Sequence, residues 1–257
     1  VYIATPHSHH YKHAKMCLEA GKHVLCEKSF TVNADQARAL FKLAEEKNLL
    51  ITEAIWTRYM PSRKMIQDVV ESGVIGEVTS LTANLSYAVT EKARIREPKL
   101  AGGALLDVGV YPINFASMVL GEKLKDVQSS AIFEGGVDIL ETIIMNFEGN
   151  KMATLQSGVR EISDRMGSIF GTKGYIQVQN INNPEKITVF NQNHEETASY
   201  FPPKQITGYE YEVRACKKAL EEGKIECPEM PHAETVRIME IMDGLRKSWA
   251  YEIPEVE

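Results

Sequence analysis

The glycine signature of a dinucleotide-binding sheet, G-x-G-x-x-G, is missing from these 257 residues: no two of the 17 glycines are separated by a single residue. That signature lets a backbone turn tightly and meet a pyrophosphate at a helix N-terminus. The phosphate loop G-x-x-x-x-G-K is missing too. On motif search alone the chain is no nucleotide binder. Cysteine is scarce: Cys17, Cys26, Cys216 and Cys227 include no C-x-x-C pair. Four scattered thiols in a chain this long point to reduced cysteines and a cytoplasmic setting, not to a disulfide framework. An excess of positive charge is lacking as well: 29 Lys and Arg stand against 35 Asp and Glu, a net charge of −6. With the two signs interspersed, this argues against a nucleic-acid or anionic-membrane surface. No apolar run approaches the ~20 residues that span a bilayer, and no secretory signal pattern occurs. The chain also lacks an initiator Met and opens on the strand-like run Val1-Tyr2-Ile3-Ala4.

What is present begins as alternating strand and helix. Val1–Ala4 reads as a strand, His10–Ala20 as a helix closed by Gly21, and His23–Cys26 as a second strand. Thr31 or Asn33 can cap a helix over Ala34–Lys47, whose Ala37, Leu40, Phe41 and Ala44 share one face. Asn48 ends it, and Leu49–Thr52 is a third strand. This βαβαβ order is the grammar of a parallel doubly wound sheet. Beyond it the grammar changes. Ser62–Ser72 reads as a helix, Val78–Val89 alternates as a strand with one exposed face, and Leu105–Leu120 is helical. From Val127 to about Phe201, strands alternate with turn signals such as Glu134-Gly135-Gly136 and Gly171-Thr172-Lys173-Gly174. Short connections predict antiparallel pairing. Helices over Tyr209–Glu222 and Ala233–Trp249 close the chain. The expected fold class is α/β plus α+β. Residues 1–55 form the C-terminal part of a doubly wound parallel sheet, and residues 56–257 form a domain on a large, mostly antiparallel open sheet. One face of such a sheet packs on its own helices; the other is a natural subunit interface.

Candidate chemistry clusters at a few places. Glu27-Lys28 follows the second strand, at the carboxyl end where open α/β sheets bind ligands. A partly desolvated lysine there can hold a substrate hydroxyl, or the two residues are a plain surface pair. In Gly102-Gly103-Ala104-Leu105-Leu106-Asp107-Val108-Gly109-Val110-Tyr111-Pro112, Asp107 and Tyr111 are four apart and share a helix face. A carboxylate and a phenol so placed can position a hydroxyl and move a proton; alternatively they are a cap and a half-buried tyrosine. Pro112 disturbs a regular helix at Tyr111. Trp56 can shelter a flat ring or pack a domain junction. Arg58 can hold an acidic group of a ligand or a carboxylate of the fold. His10, His13 and Cys17 lie on one helix face with His7 and His9 close by. A loop facing a cofactor is the preferred reading there over a metal site, because no matching ligands follow downstream.

Taken together, VYIATPHSHHYKHAKMCLEAGKHVLCEKSF, TEAIWTRYMP, GGALLDVGVYP, FGTKGYIQVQ and the closing GYEYEVRACKKALEEGKIECPEMPHAETVRIMEIMDGLRKSW resemble the Gfo/Idh/MocA oxidoreductase family. The likeness is nearest its dimeric dihydrodiol dehydrogenase-like branch and runs through the whole chain. It implies a Rossmann domain followed by an α/β domain with an open sheet. It also implies NAD or NADP as cofactor, and hydride transfer to or from a carbon of a sugar, polyol or dihydrodiol. The family's E-K-P lysine falls on Lys28 and its D-x-G-x-H/Y segment on Asp107 to Tyr111. The resemblance makes Tyr111 the general acid/base. Lys28 lowers its pKa and orients substrate, and Asp107 holds substrate or catalytic groups. Thr5, Pro6, His7, His10, Glu27 and Lys28 line the cofactor, with Trp56 and Arg58 near the nicotinamide. Ser29 stands where the family has proline.

The missing glycine loop sets a further expectation: the loop lies on an upstream segment outside these residues, and this chain alone binds dinucleotide weakly and is inactive. At about 30 residues per βαβ unit, that segment spans roughly 60–75 residues. The expected partners are a small sugar- or polyol-like substrate and a second copy of the chain on the open sheet, with a tetramer as the larger assembly. Nucleic acid, membrane and metal are not expected. The competing readings are a non-catalytic oligomerisation or binding protein that keeps the sheet, and a metal-dependent hydrolase built on the histidines.

Overall fold

The computed structural model describes residues 1–254. Its first sheet holds three parallel strands, β1 (Tyr2–Ile3), β2 (Val24–Glu27) and β3 (Ile51–Ala54), in that spatial order. Helices α1 (His7–Glu19) and α2 (Ala34–Lys47) make the crossovers. Asn33 caps α2 by accepting the Gln36 N–H at 2.9 Å, and Asn48 ends it in a left-handed conformation. β2 and β3 are buried almost throughout, as strands covered on both faces must be. The far edge of β3 is occupied from a distance: the Ile51 N–H donates to the Ile225 carbonyl at 3.1 Å. α1 starts three residues earlier than the periodicity predicts, at His7, because Pro6 takes the cap position and the helix begins directly off the strand.

The second sheet has eight strands, with helix α3 (Pro61–Glu71) preceding it. They are β4 (Val78–Ser86), β5 (Leu124–Glu134), β6 (Val137–Phe147), β7 (Lys151–Gly158), β8 (Gly167–Gly171), β9 (Gly174–Gln179), β10 (Lys186–Asn191) and β11 (Glu196–Tyr200). Their order is β11-β10-β9-β8-β4-β7-β6-β5, and every pair but one is antiparallel. The exception is β4 with β7, which run parallel. These two are far apart in sequence, so loop length could not fix their pairing. Along β4, Leu81, Ala83 and Leu85 turn inward while Thr82 stays exposed, matching the expected alternation.

Between β4 and β5 the chain forms a short helix, α4 (Ala93–Arg96), a π-type turn over Leu105–Gly109, and α5 (Val110–Leu120). α5 packs on β4 and β7, with α3 and α7 (His232–Ser248) behind it. It is therefore apolar on nearly all sides. One sequence reading is corrected here. Pro98–Leu120, 23 residues, is by length and composition long and apolar enough to cross a membrane, although its most apolar window is 89% buried inside the protein. The interrupting turns hid this length from a search for unbroken apolar runs. Among the described residues, the sheet's opposite face is uncovered. It exposes Thr82, Thr142, Thr154 and Gln156 beside Met152 and Phe170.

Candidate active site

The carboxyl ends of β1 and β2, the start of α1, α4, the π-type turn and the approach to α6 (Glu210–Glu221) enclose a cleft of about 300 Å³. Ala4, Thr5, Pro6, His7, Glu27, Lys28, Arg94, Asp107, Tyr111 and Tyr209 line it. Parallel strands deliver Thr5 and Lys28 to the same edge, the usual ligand edge of such a sheet. A larger open groove of about 700 Å³ runs between β5 and α7, but the converging reactive groups are in the smaller cleft.

The centre of the cleft is an ion cluster. Lys28 Nζ donates to the Asp107 carbonyl at 2.6 Å and lies 3.4 Å from Asp107 Oδ1. The same Oδ1 receives Arg94 Nη1. Pro112 removes one backbone donor that the Asp107 carbonyl would otherwise meet. In the π-type turn the Val110 N–H reaches back five residues to the Leu105 carbonyl. The group that would reach Asp107 in this pattern is the N–H of residue 112, and proline has none. Lys28 takes the vacated acceptor. One residue earlier, the Leu106 carbonyl accepts the buried Ser29 hydroxyl at 2.8 Å. The turn thus hands two successive carbonyls to the loop after β2.

Electrostatics follow from this packing. Burial alone would raise Asp107, but the Lys28 ammonium, with Arg94, outweighs it and holds the carboxyl down at about 2. It is ionised at every working pH. Tyr111 lies with its ring 5.2 Å from Lys28 Nζ. Its phenol is nevertheless pushed well above the usual range, first by burial and then by Glu27 and Asp107. The implied lowering by Lys28 is thus overridden, and the phenol keeps its proton. His7 is pushed down to about 3 by burial and then by Lys28, so its ring is neutral. Its Nδ1 sits 3.0 Å from the Ala101 carbonyl.

The structure brings Thr5, Pro6, His7, Glu27, Lys28, Asp107 and Tyr111 to one cleft. His10 lies behind it. Its two ring nitrogens sit 2.8 Å from the Thr5 carbonyl and 2.9 Å from the Ser29 carbonyl, bracing the loops after β1 and β2. Trp56 backs the wall by stacking on Tyr209 at 4.6 Å. Arg58 is elsewhere: it bonds Asn114 and Ser117 of α5 and Glu234 of α7, holding a carboxylate within the fold. His9 and His13 lie with their rings 5.7 Å apart and bond different partners, Ser8 and Thr5. Among the described residues, no group of three or more His, Cys, Asp or Glu is placed to hold a metal ion. Arg94 and Tyr209 escaped sequence reasoning. Arg94 sits in the charged run Glu91-Lys92-Ala93-Arg94-Ile95-Arg96, where one arginine looks like another.

Comparison with known proteins places this geometry in context. Residues 1–54 match the model of an oxidoreductase family with an NAD-binding Rossmann fold, and residues 64–177 match the GFO/IDH/MocA C-terminal domain. The chain is 35% identical to D-xylose 1-dehydrogenase (NADP(+)) of Hypocrea jecorina, covering 100% of this chain and 74% of that protein. It is 34% identical to trans-1,2-dihydrobenzene-1,2-diol dehydrogenase of Xenopus laevis, over 95% of this chain and 76% of the relative. Among solved structures, KijD10, a 3-ketoreductase of Actinomadura kijaniata in complex with NADP and TDP-benzene, superposes with a TM-score of 0.88. It shares 27% identity, over 96% of this chain and 77% of that one.

Proposed function

The chain belongs to the Gfo/Idh/MocA oxidoreductase family, and we propose that it moves a hydride between a nicotinamide cofactor and a hydroxyl-bearing carbon of a small neutral sugar, polyol or dihydrodiol. The Lys28–Asp107–Tyr111 cluster, opening onto the ends of two parallel strands, carries this reading. The cleft fits the nicotinamide end of a dinucleotide. Thr5, Pro6, His7, Glu27 and Lys28 would hold that end at the strand edge, and His10 would support them. Trp56 would back the same wall through Tyr209, while Arg58 would steady α5 beneath it. No residue of this chain is assigned to the pyrophosphate, since no glycine-rich turn occurs in it. NADP is favoured by the relatives named above. When bound, the nicotinamide supplies or accepts the hydride.

The protein's own groups handle the proton and the placement. Tyr111, protonated at rest, donates to the carbonyl oxygen during reduction; oxidation is the reverse step, in which its phenolate takes the proton from the substrate hydroxyl. Lys28 supplies the positive charge that stabilises the phenolate in transit. Asp107, ionised between Lys28 and Arg94, fixes the ammonium in direction. Two cations and two carboxylates, Glu27 included, leave the cleft near neutrality, which suits an uncharged substrate. In this reading residues 1–55 carry the cofactor side and residues 56–257 the substrate side. A second copy on the open sheet face would make the homodimer. The unbridged cysteines are in keeping with a reducing cytoplasm.

The test is turnover of D-xylose and a trans-dihydrodiol with NADP⁺ and with NAD⁺, followed by the absorbance of reduced nicotinamide. Turnover lost in Tyr111→Phe is the expected result. Inactivity of these 257 residues alone does not overturn the proposal. A folded protein that carries a glycine loop ahead of residue 1 and still reduces neither cofactor with any sugar, polyol or dihydrodiol does overturn it. It would leave the sheet as an assembly surface.

A further inference from the structure

The inward row of β6 reads Val137, Ile139, Glu141, Ile143, Met145, Phe147: one acid among apolar residues. Glu141 is 1% exposed. It faces Ser157 of β7 in register, and the Ser157 hydroxyl donates to its Oε1 at 2.6 Å. Its other oxygen, Oε2, is buried without a hydrogen-bond partner among the described residues. Burial, then the neighbouring Asp138, raises this acid well above the carboxylate range, so it is held neutral. A neutral acid in an apolar row needs a reason, because a leucine would fill the slot without leaving an oxygen unpaired.

That reason lies on the other side of the carboxyl. Gly109, the last residue of the π-type turn, rests on Glu141: a Cβ there would come within 2.6 Å of Oε1 and 3.1 Å of Ser157 Oγ. The start of the same turn is fixed from the same strand. Asp138 Oδ2 accepts the Leu105 N–H at 2.6 Å, and a Cβ on Gly103 would collide with Asp138 Oδ1. One strand therefore clamps the segment at both ends. Asp107 projects from the span so held, and Tyr111 follows two residues after its end.

We propose that Glu141, paired with Ser157, is a positioning residue for the catalytic segment. Its carboxyl seats Gly109 and thereby sets the turn that carries Asp107 and leads into Tyr111 at the cleft. Glu141 touches neither substrate nor cofactor. The role rests on the oxidoreductase reading above, but its packing does not.

Hydrogen exchange of peptides covering residues 103–112 tests the seating without any turnover, and steady-state kinetics test its consequence. Glu141→Gln keeps the shape and the serine bond, so exchange stays near wild type and kcat within about twofold. Glu141→Ala speeds exchange in 103–112 while α2 is unchanged. It lowers kcat about tenfold or more, with the cofactor KM unmoved, as expected when reacting groups shift by a fraction of an ångström. Gly109→Ala does similar harm in the wild-type background and much less in Glu141→Ala, where the blocking oxygen is gone. Equal harm in both backgrounds, or unchanged exchange in Glu141→Ala, overturns the proposal. Should Glu141→Ala fail to fold, loss of activity and faster exchange in Glu141→Gln would overturn it instead. A wild-type protein that carries a glycine loop ahead of residue 1 and is inert toward every substrate sinks the functional reading alone, because exchange still decides the seating.

Discussion

Two clusters of paired charge, one on α5 and one at the π-type turn, behave in opposite ways. In the first, Arg58 meets Glu234 with side chains only 5% and 8% exposed, and Asn114, Ser117 and Arg237 bond the same groups. Burial alone would raise Glu234, but Arg58, Ser117 and Arg237 hold it below the usual carboxylate range. In the second, Asp107 is 6% exposed while its partner Arg94 is 45% exposed, and the cluster opens onto a cleft. The closed cluster joins the turn after β3 to α5 and α7. The open one keeps donors facing solvent. A buried pair with its valences filled is scaffold; one left open on a cleft is where a ligand adds the missing partners.

The sharpest way to break this contrast is at its two centres. Tyr111→Phe removes one oxygen from the open cluster. Turnover is expected to fall by ~10²–10⁴, while melting temperature and cofactor KM stay near wild type. A variant that melts early instead would mark Tyr111 as scaffold. Arg58→Ala is the mirror image. It leaves Glu234 buried beside Arg237 alone, and breaking a buried pair costs about 3–5 kcal/mol. Urea unfolding should show this as a lower midpoint with unchanged slope. A stable Arg58→Ala protein with weakened cofactor binding would move Arg58 into the site.

A third prediction uses pH. Glu53 is fully buried, accepting from the Phe30 N–H and the Thr235 hydroxyl, and burial pushes it up to about 7. Its folded pKa thus exceeds the unfolded one. The folded state holds the proton more tightly, so the contribution is complete below the unfolded value near 4.5 and is lost as pH rises toward 7. The loss amounts to roughly 3 kcal/mol across that window. Glu53→Gln should flatten this fall, gaining relative to wild type at pH 8. Parallel pH–stability curves for the two proteins would show that Glu53 does not titrate there.

The contrast also explains what the sequence could tell. Period and punctuation are local, and they exposed the first three strands, both crossover helices, a helix cap at Thr31 or Asn33 (Asn33 in the structure), the stop at Asn48 and the inward row of β4. Lys28, Asp107 and Tyr111 were singled out because strand ends and a Gly-Gly turn are local signals too. Long-range pairings have no such signal. Arg58 finds Glu234 across 176 residues, β4 finds β7 by a parallel pairing that loop length does not dictate, and Arg94 finds Asp107 only once the turn has folded back. Pro112 was read as disturbing a helix, and the disturbance proved to be the π-type turn that leaves the Asp107 carbonyl to Lys28. Glu141 escaped sequence reasoning, because its meaning required Gly109 above it.

The smallest predicted effect lies between the two kinds of cluster. Ser29 is fully buried and is not among the residues lining the cleft, yet its hydroxyl joins the loop that carries Lys28 to the turn that carries Asp107. Ser29→Ala removes one neutral hydrogen bond and leaves the Leu106 carbonyl short of a partner, a loss of about 1 kcal/mol. Were Ser29 only scaffold, that loss would appear in the unfolding midpoint and nowhere else. Because the bond spans the two halves of the open cluster, kcat should also drop by about two- to fivefold, the kinetic size of a roughly 1 kcal/mol misplacement. Substrate KM should rise and cofactor KM stay fixed, since Lys28 swings relative to Asp107 while the strand ends do not move. An unchanged kcat with a lowered midpoint would show that the Lys28 contact to the Asp107 carbonyl holds the cluster without help, and would shift the boundary between scaffold and site to Lys28 itself.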